Sequence, residues 1–102
     1  MPYFAVRYEV IDDYVAQRAT YREDHLRLAS AAAGRGQLLL AGAFADPVDG
    51  ALLIFEAPDK SIPEEFARND PYVTSGLVTR WEVRPWTVVA GKFFDEADPQ
   101  ST

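Results

Sequence analysis

Two short segments of this chain, Arg22-Glu23-Asp24-His25-Leu26 and Asn69-Asp70-Pro71-Tyr72, carry the residue types that proton-transfer chemistry needs. The first holds the sole histidine of the sequence. Histidine is the side chain whose unperturbed pKa lies nearest neutrality, and a carboxylate can fix its tautomer and stabilise its charged form. Asp70, followed by a proline, is a carboxylate on restrained backbone. A fold that brings His25 and Asp70 together would therefore supply a catalytic acid-base pair. Each residue also has a plainer reading. His25, beside Arg22 and Asp24, could belong to a solvated charge cluster. Asp70 before Pro71 suits an Asx-turn or a helix N-cap. Capping and orienting a histidine are compatible, because a carboxylate has several acceptor sites.

Further candidates lie around these two. Helical spacing puts Tyr14, Arg18, Tyr21, Leu28 and Ala32 on the same side as His25. Arg22, one turn before the histidine, can bind an anionic substrate or pair with a nearby acid. Tyr72 and Ser75 offer hydroxyl donors near Asp70, although turn packing would also explain them. Arg7 is a candidate for substrate contact, with cross-strand pairing as the alternative. Gly42 could allow close approach of a ligand, or mark a bulge. Trp81 and Trp86 read as core and interface aromatics. One histidine among scattered acids gives no zinc pattern, so no metal site is expected. There is no glycine-rich phosphate loop, no dinucleotide fingerprint and no Gly-x-Ser-x-Gly elbow. The absence of cysteine removes disulfides and a thiolate nucleophile. No cofactor is implied.

The bulk composition narrows the function classes. A chain of 102 residues with 48% hydrophobic content is one domain, expected over residues 1–94, followed by an acidic, polar and disordered tail over residues 95–102. The formal net charge of -6 argues against nucleic acid and against anionic membrane surfaces as partners. The N-terminus lacks the pattern of a signal peptide, and the longest apolar run is far too short to span a bilayer. The expected location is the cytoplasm.

The elements that must position the candidates follow from periodicity. Residues 2–11 alternate as a strand, with Phe4, Val6, Tyr8 and Val10 on one face and Arg7 and Glu9 on the other. Asp12 and Asp13 offer an N-cap for one continuous helix over residues 14–33, which stops at Gly34-Arg35-Gly36 with a glycine C-cap. Residues 37–44 and 51–57 form a hairpin across an Asp-Pro and Asp-Gly loop. A short helix starts at Ser61 and breaks at Asn69-Asp70-Pro71. Residues 78–90 form a last strand, with Pro85 indicating an edge position. The order β-α-β-β-α-β is an α+β, ferredoxin-like arrangement: a four-stranded antiparallel sheet with two helices on one face. Arg7 and Glu9 would then face the Arg80, Glu82, Arg84 series across strands. The hairpin strands are apolar on both faces, so a second copy of the chain is expected to cover the open side as a homodimer.

Taken together, Arg22, His25-Leu26, Gly36-Gln37-Leu38-Leu39, Ala41-Gly42, Asp49-Gly50, Asp70-Pro71-Tyr72, Gly76-Leu77 and Trp81-Glu82-Val83-Arg84-Pro85-Trp86 resemble the YciI-like family. That family comprises small ferredoxin-like proteins related to the dimeric α/β-barrel group. The resemblance implies a site centred on a His/Asp pair, here His25 and Asp70, and one member dehydrochlorinates a chlorinated hydroxyquinol. This chain departs from the family pattern at Ala43, where proline is frequent, and at 31–34, which lacks acids that some relatives carry. The implied function is a cofactor-independent enzyme, a lyase or isomerase, acting on a small organic substrate by elimination or isomerisation. The alternative is a non-catalytic dimeric module that binds a small ligand or a protein. A third reading is a monooxygenase-like or stress-response protein of the related barrel group.

Overall fold

The computed structural model describes residues 2–92, and the tail expected over residues 95–102 lies outside the described residues. The alternation in the first segment forms strand β1, Tyr3–Val10, with Phe4, Val6 and Tyr8 buried and Arg7 and Glu9 exposed. The hairpin supplies β2, Leu38–Ala43, and β3, Gly50–Glu56; the last strand is β4, Val78–Trp86, shorter than the run to 90 expected from the sequence. They form a four-stranded antiparallel sheet in the order β2-β3-β1-β4. Val6 lies opposite Leu53 on one side and Val83 on the other, and all three are buried. Each such side chain contributes roughly 1.5–3 kcal/mol when buried. Pro85 pairs opposite Phe4, and among the described residues β4 has β1 as its only neighbour. An edge strand tolerates the missing N–H.

The helices cover the Phe4, Val6 and Tyr8 face. The single helix expected over residues 14–33 is divided instead: α1, Tyr14–Gln17, runs into a 3-10 turn, Arg18–Thr20, and then α2, Arg22–Gly34. Thr20 and Tyr21 are weak helix formers, and tertiary packing of Tyr14 and Tyr21 on the core overrides continuity. Asp13 stands at the N-cap of α1 without a side-chain cap bond, and accepts from Gln17 Nε2 at 3.2 Å. The stop falls within the Gly34-Arg35-Gly36 segment expected from the sequence. Gly34 is helical, and Gly36 takes the left-handed conformation (φ 76°), its N–H donating to the Ala33 carbonyl at 2.9 Å. Only glycine adopts that φ at little cost.

Helix α3, Ser61–Asn69, packs Phe66 edge-on against Phe55 at 5.2 Å. Behind it comes a further short helix, α4, Pro71–Thr74, with Asp70 between the two. The described residues thus form an α+β, ferredoxin-like fold. Its other sheet face carries Arg7 opposite Glu82 and Glu9 opposite Arg80, the opposite-charge pairs expected from the sequence. Among the described residues, no helix is long and apolar enough to cross a membrane.

Candidate active site

The site grows from Asp70, which is completely buried. A buried carboxylate is costly unless its oxygens are satisfied, and here three donors converge on it. His25 Nδ1 lies 2.8 Å from Oδ1, the Tyr8 hydroxyl donates to Oδ2 at 2.8 Å, and the Tyr72 backbone N–H donates to Oδ1 at 3.0 Å. The last bond is an N-cap: Pro71 opens α4 at its first position, and the Asp70 side chain caps it. Asp70 therefore both caps a helix and contacts the histidine, the two roles its sequence context left open.

His25 comes from the first turn of α2, its backbone N–H bonded to the Tyr21 carbonyl at 3.0 Å. An ionised carboxylate only accepts hydrogen bonds, so the ring nitrogen facing it is the protonated one. That assigns the proton to Nδ1 and leaves Nε2 as the basic nitrogen. The imidazole is also stacked on Tyr72, with ring centroids 3.9 Å apart and planes 11° from parallel, while Tyr14 meets Tyr72 edge-on at 5.6 Å. A hydrogen bond within the ring plane and a stack against its face fix the imidazole orientation.

These aromatics wall a cleft of about 350 Å³ between α2 and the sheet. Its floor is small, with Ala41, Ala43 and Ala51, and Arg18 and Arg22 stand at its edge. The volume lies at the low end of small-molecule sites, which run from roughly 300 to 1,000 Å³. Burial, and then the adjacent Asp70 charge, push the Tyr8 phenol far above its usual pKa, so it remains a protonated donor. Burial also raises Tyr14 and Tyr72, against the opposing pull of Arg18 and Arg22. The Tyr72 hydroxyl is buried, lies beside the Arg22 guanidinium and finds no acceptor among the described residues.

Of the residues singled out from the sequence, His25, Arg22, Tyr72 and Gly42 line this cleft, with Asp70 beneath. Arg7 does not: it lies on the opposite sheet face beside Glu9, Arg80 and Glu82. Strand alternation sets the side on which Arg7 projects, and the cleft opens on the other. Ser75 is an exposed residue at the C-cap of α4, away from the cleft. Gly42 makes no close approach to protein atoms, since an added Cβ would meet nothing within 4 Å. Sequence reasoning missed Tyr8, Tyr14 and Arg18 as site residues. The signal for Tyr8 was available: a tyrosine on a core-facing strand side needs a partner for its hydroxyl. Among the described residues, no cluster of three or more His, Cys, Asp or Glu side chains could hold a metal ion.

Known proteins with this architecture include 5-chloro-2-hydroxyhydroquinone dehydrochlorinase from Burkholderia phenoliruptrix, solved in complex with 2,5-dihydroxybenzoquinone. It matches with a TM-score of 0.72 and 21% identity, over 91% of this chain and 99% of that one. Protein Atu4242 from Agrobacterium tumefaciens matches with a TM-score of 0.56 and 15% identity, over 91% of this chain and 96% of that one. At these identities the likeness is one of fold. No curated protein matches the sequence. The model of the YCII-related domain, in contrast, matches residues 1–87, which hold all four strands and the helices, and the chain belongs to that family.

Proposed function

We propose that this protein is a cofactor-independent enzyme that moves a proton on a small organic molecule, with His25 as the acid-base group and Asp70 as its orienting partner. The observation that carries this reading is the 2.8 Å contact between His25 Nδ1 and the buried Asp70, at the wall of a cleft of about 350 Å³. His25 Nε2 takes a proton from a substrate carbon or hydroxyl. Asp70 holds the tautomer and stabilises the imidazolium that forms. The proton then returns to another substrate position, giving isomerisation, or leaves with a departing anion, giving elimination. Neither course changes the electron count of the protein.

The similar fold of a dehydrochlorinase makes loss of HCl from a hydroxylated chloro-aromatic ring the first reaction to test. In it a substrate proton passes to His25 while the carbon–chlorine bond breaks and chloride carries off its electron pair. The experiment is chloride release from 5-chloro-2-hydroxyhydroquinone by the native chain and by His25→Ala. Acid-base catalysis of this kind contributes roughly 10²–10⁴-fold, and the variant should lose that factor. Full turnover by His25→Ala would remove the histidine from the mechanism. Saturable binding without turnover would favour a ligand-binding module built on the same cleft.

A further inference from the structure

We propose that the cleft takes its small molecule by an ionised oxygen, a phenolate or carboxylate, held by Arg18 and Arg22. This deepens the reading above, and rests on its assignment of the cleft as the substrate site, by naming the charge the substrate carries.

The first observation is a local reversal of charge. The chain has 16 acidic against 10 basic side chains, yet two arginines, one helical turn apart, stand at the cleft. The acids nearest in sequence are already engaged: Arg27 binds Glu23 at 3.1 Å and Asp24 at 2.9 Å. The acid below the cleft, Asp70, is taken up by His25, Tyr8 and the Tyr72 N–H. Among the described residues, neither Arg18 nor Arg22 forms an ion pair. Arg18 is held at the rim by packing over the Tyr14 ring, 5.3 Å from its centroid.

The second observation is how these arginines are seated. Arg18 lies beside the Tyr14 hydroxyl and Arg22 beside that of Tyr72, and both tyrosines line the cleft. Each guanidinium carries five N–H donors, more than one phenol oxygen takes up, and such forks match an anionic oxygen better than a neutral one.

The test is calorimetric binding of salicylate and of salicylamide, its neutral counterpart, at low salt. The native chain should bind the anion at least about tenfold more tightly, as expected of a charge-assisted bidentate contact. In Arg18→Gln/Arg22→Gln that ratio should fall towards one. Arg22→Gln alone, at an exposed position, repeats the measurement if the double variant does not fold. Equal affinities in the native chain, no binding of either probe, or an unchanged ratio in the arginine variants would each overturn the proposal. The readout needs no turnover. A fully active His25→Ala would defeat the catalytic reading while leaving the anion preference to stand or fall by these titrations.

Discussion

At the scale of single residues, Asp70 connects stability to chemistry, because one carboxylate caps α4, orients His25 and receives Tyr8. An asparagine of equal size keeps one acceptor and turns the other atom into a donor. Asp70→Asn should therefore leave a buried donor unpaired, at about 1–3 kcal/mol, and release the histidine tautomer. For a domain of this size each kcal/mol lowers Tm by about 4–8 °C, so melting and turnover should fall together. An unchanged Tm and rate would mean that the three-donor arrangement contributes nothing. Tyr8→Phe isolates one arm of it. Tyr8 in the folded chain is held far above the ordinary tyrosine value of about 10, by burial first and by Asp70 second. Below that value both folded and unfolded states keep the phenol protonated, and its contribution to stability is complete. Above it the unfolded chain loses the proton and the folded chain does not, so stability declines as pH rises. Urea midpoints should fall from about pH 10 upward in the native chain. The decline should be shallower in Tyr8→Phe, with Tyr14 and Tyr72, also raised, supplying the remainder. A slope identical to that of the native chain would refute the assignment.

At the scale of elements, the close approach of two strands carries the site. Gly50 pairs opposite Glu9, and a Cβ there would lie 2.7 Å from the Tyr8 carbonyl oxygen and 3.3 Å from the Phe44 ring. The ring can turn, but the carbonyl cannot leave without moving β1. Gly50→Ala should cost about 1–3 kcal/mol, as overpacking does, and should disturb the Tyr8 bond to Asp70 as well. Urea unfolding measures the first effect and the turnover rate the second; a variant as stable as the native chain would show that β1 and β3 part freely. Strands were legible in the sequence because a period of two survives any tertiary context: Phe4, Val6 and Tyr8 face the core as their spacing implies. The helix over 14–33 was legible as helix but not as a broken one, since the 3-10 turn reflects where Tyr14 and Tyr21 pack. Helix α4 has four residues, too few for a period, and only its Asp-Pro start was visible. The proximity of His25 and Asp70, 45 positions apart, came from residue type and family pattern. The face and cross-strand pairing of Arg7 were legible, but its candidacy for substrate contact fails, because alternation separates two faces without saying which one opens the cleft.

At the scale of the whole molecule, the sheet has one face clothed by helices and one that is not. Leu40 and Trp86, 72% and 47% exposed, lie towards its two edges, and Ile54 is buried there outside the core cluster. Arg7, Glu82, Glu9 and Arg80 share this face as pairs of opposite sign. A face with an apolar strip and charges of both signs is complementary to a copy of itself turned by a two-fold axis. Stable pairs of this kind bury about 800 Å² per partner, an area that one sheet face can supply. We therefore infer a homodimer, with light scattering giving twice the 11.4 kDa of the chain at micromolar concentration. The net charge of -6 on each copy opposes association, and salt screens that repulsion beyond about 10 Å at 0.1 M. Added salt should thus strengthen the dimer if apolar contact dominates, and weaken it if the arginine–glutamate pairs do. Leu40→Glu places a like charge on each copy at an exposed position, where folding of the single chain is little affected. It should shift the mass to that of one chain while the urea midpoint, extrapolated to low protein concentration, stays the same. A native chain that scatters as a monomer would leave the open face without the partner its composition calls for.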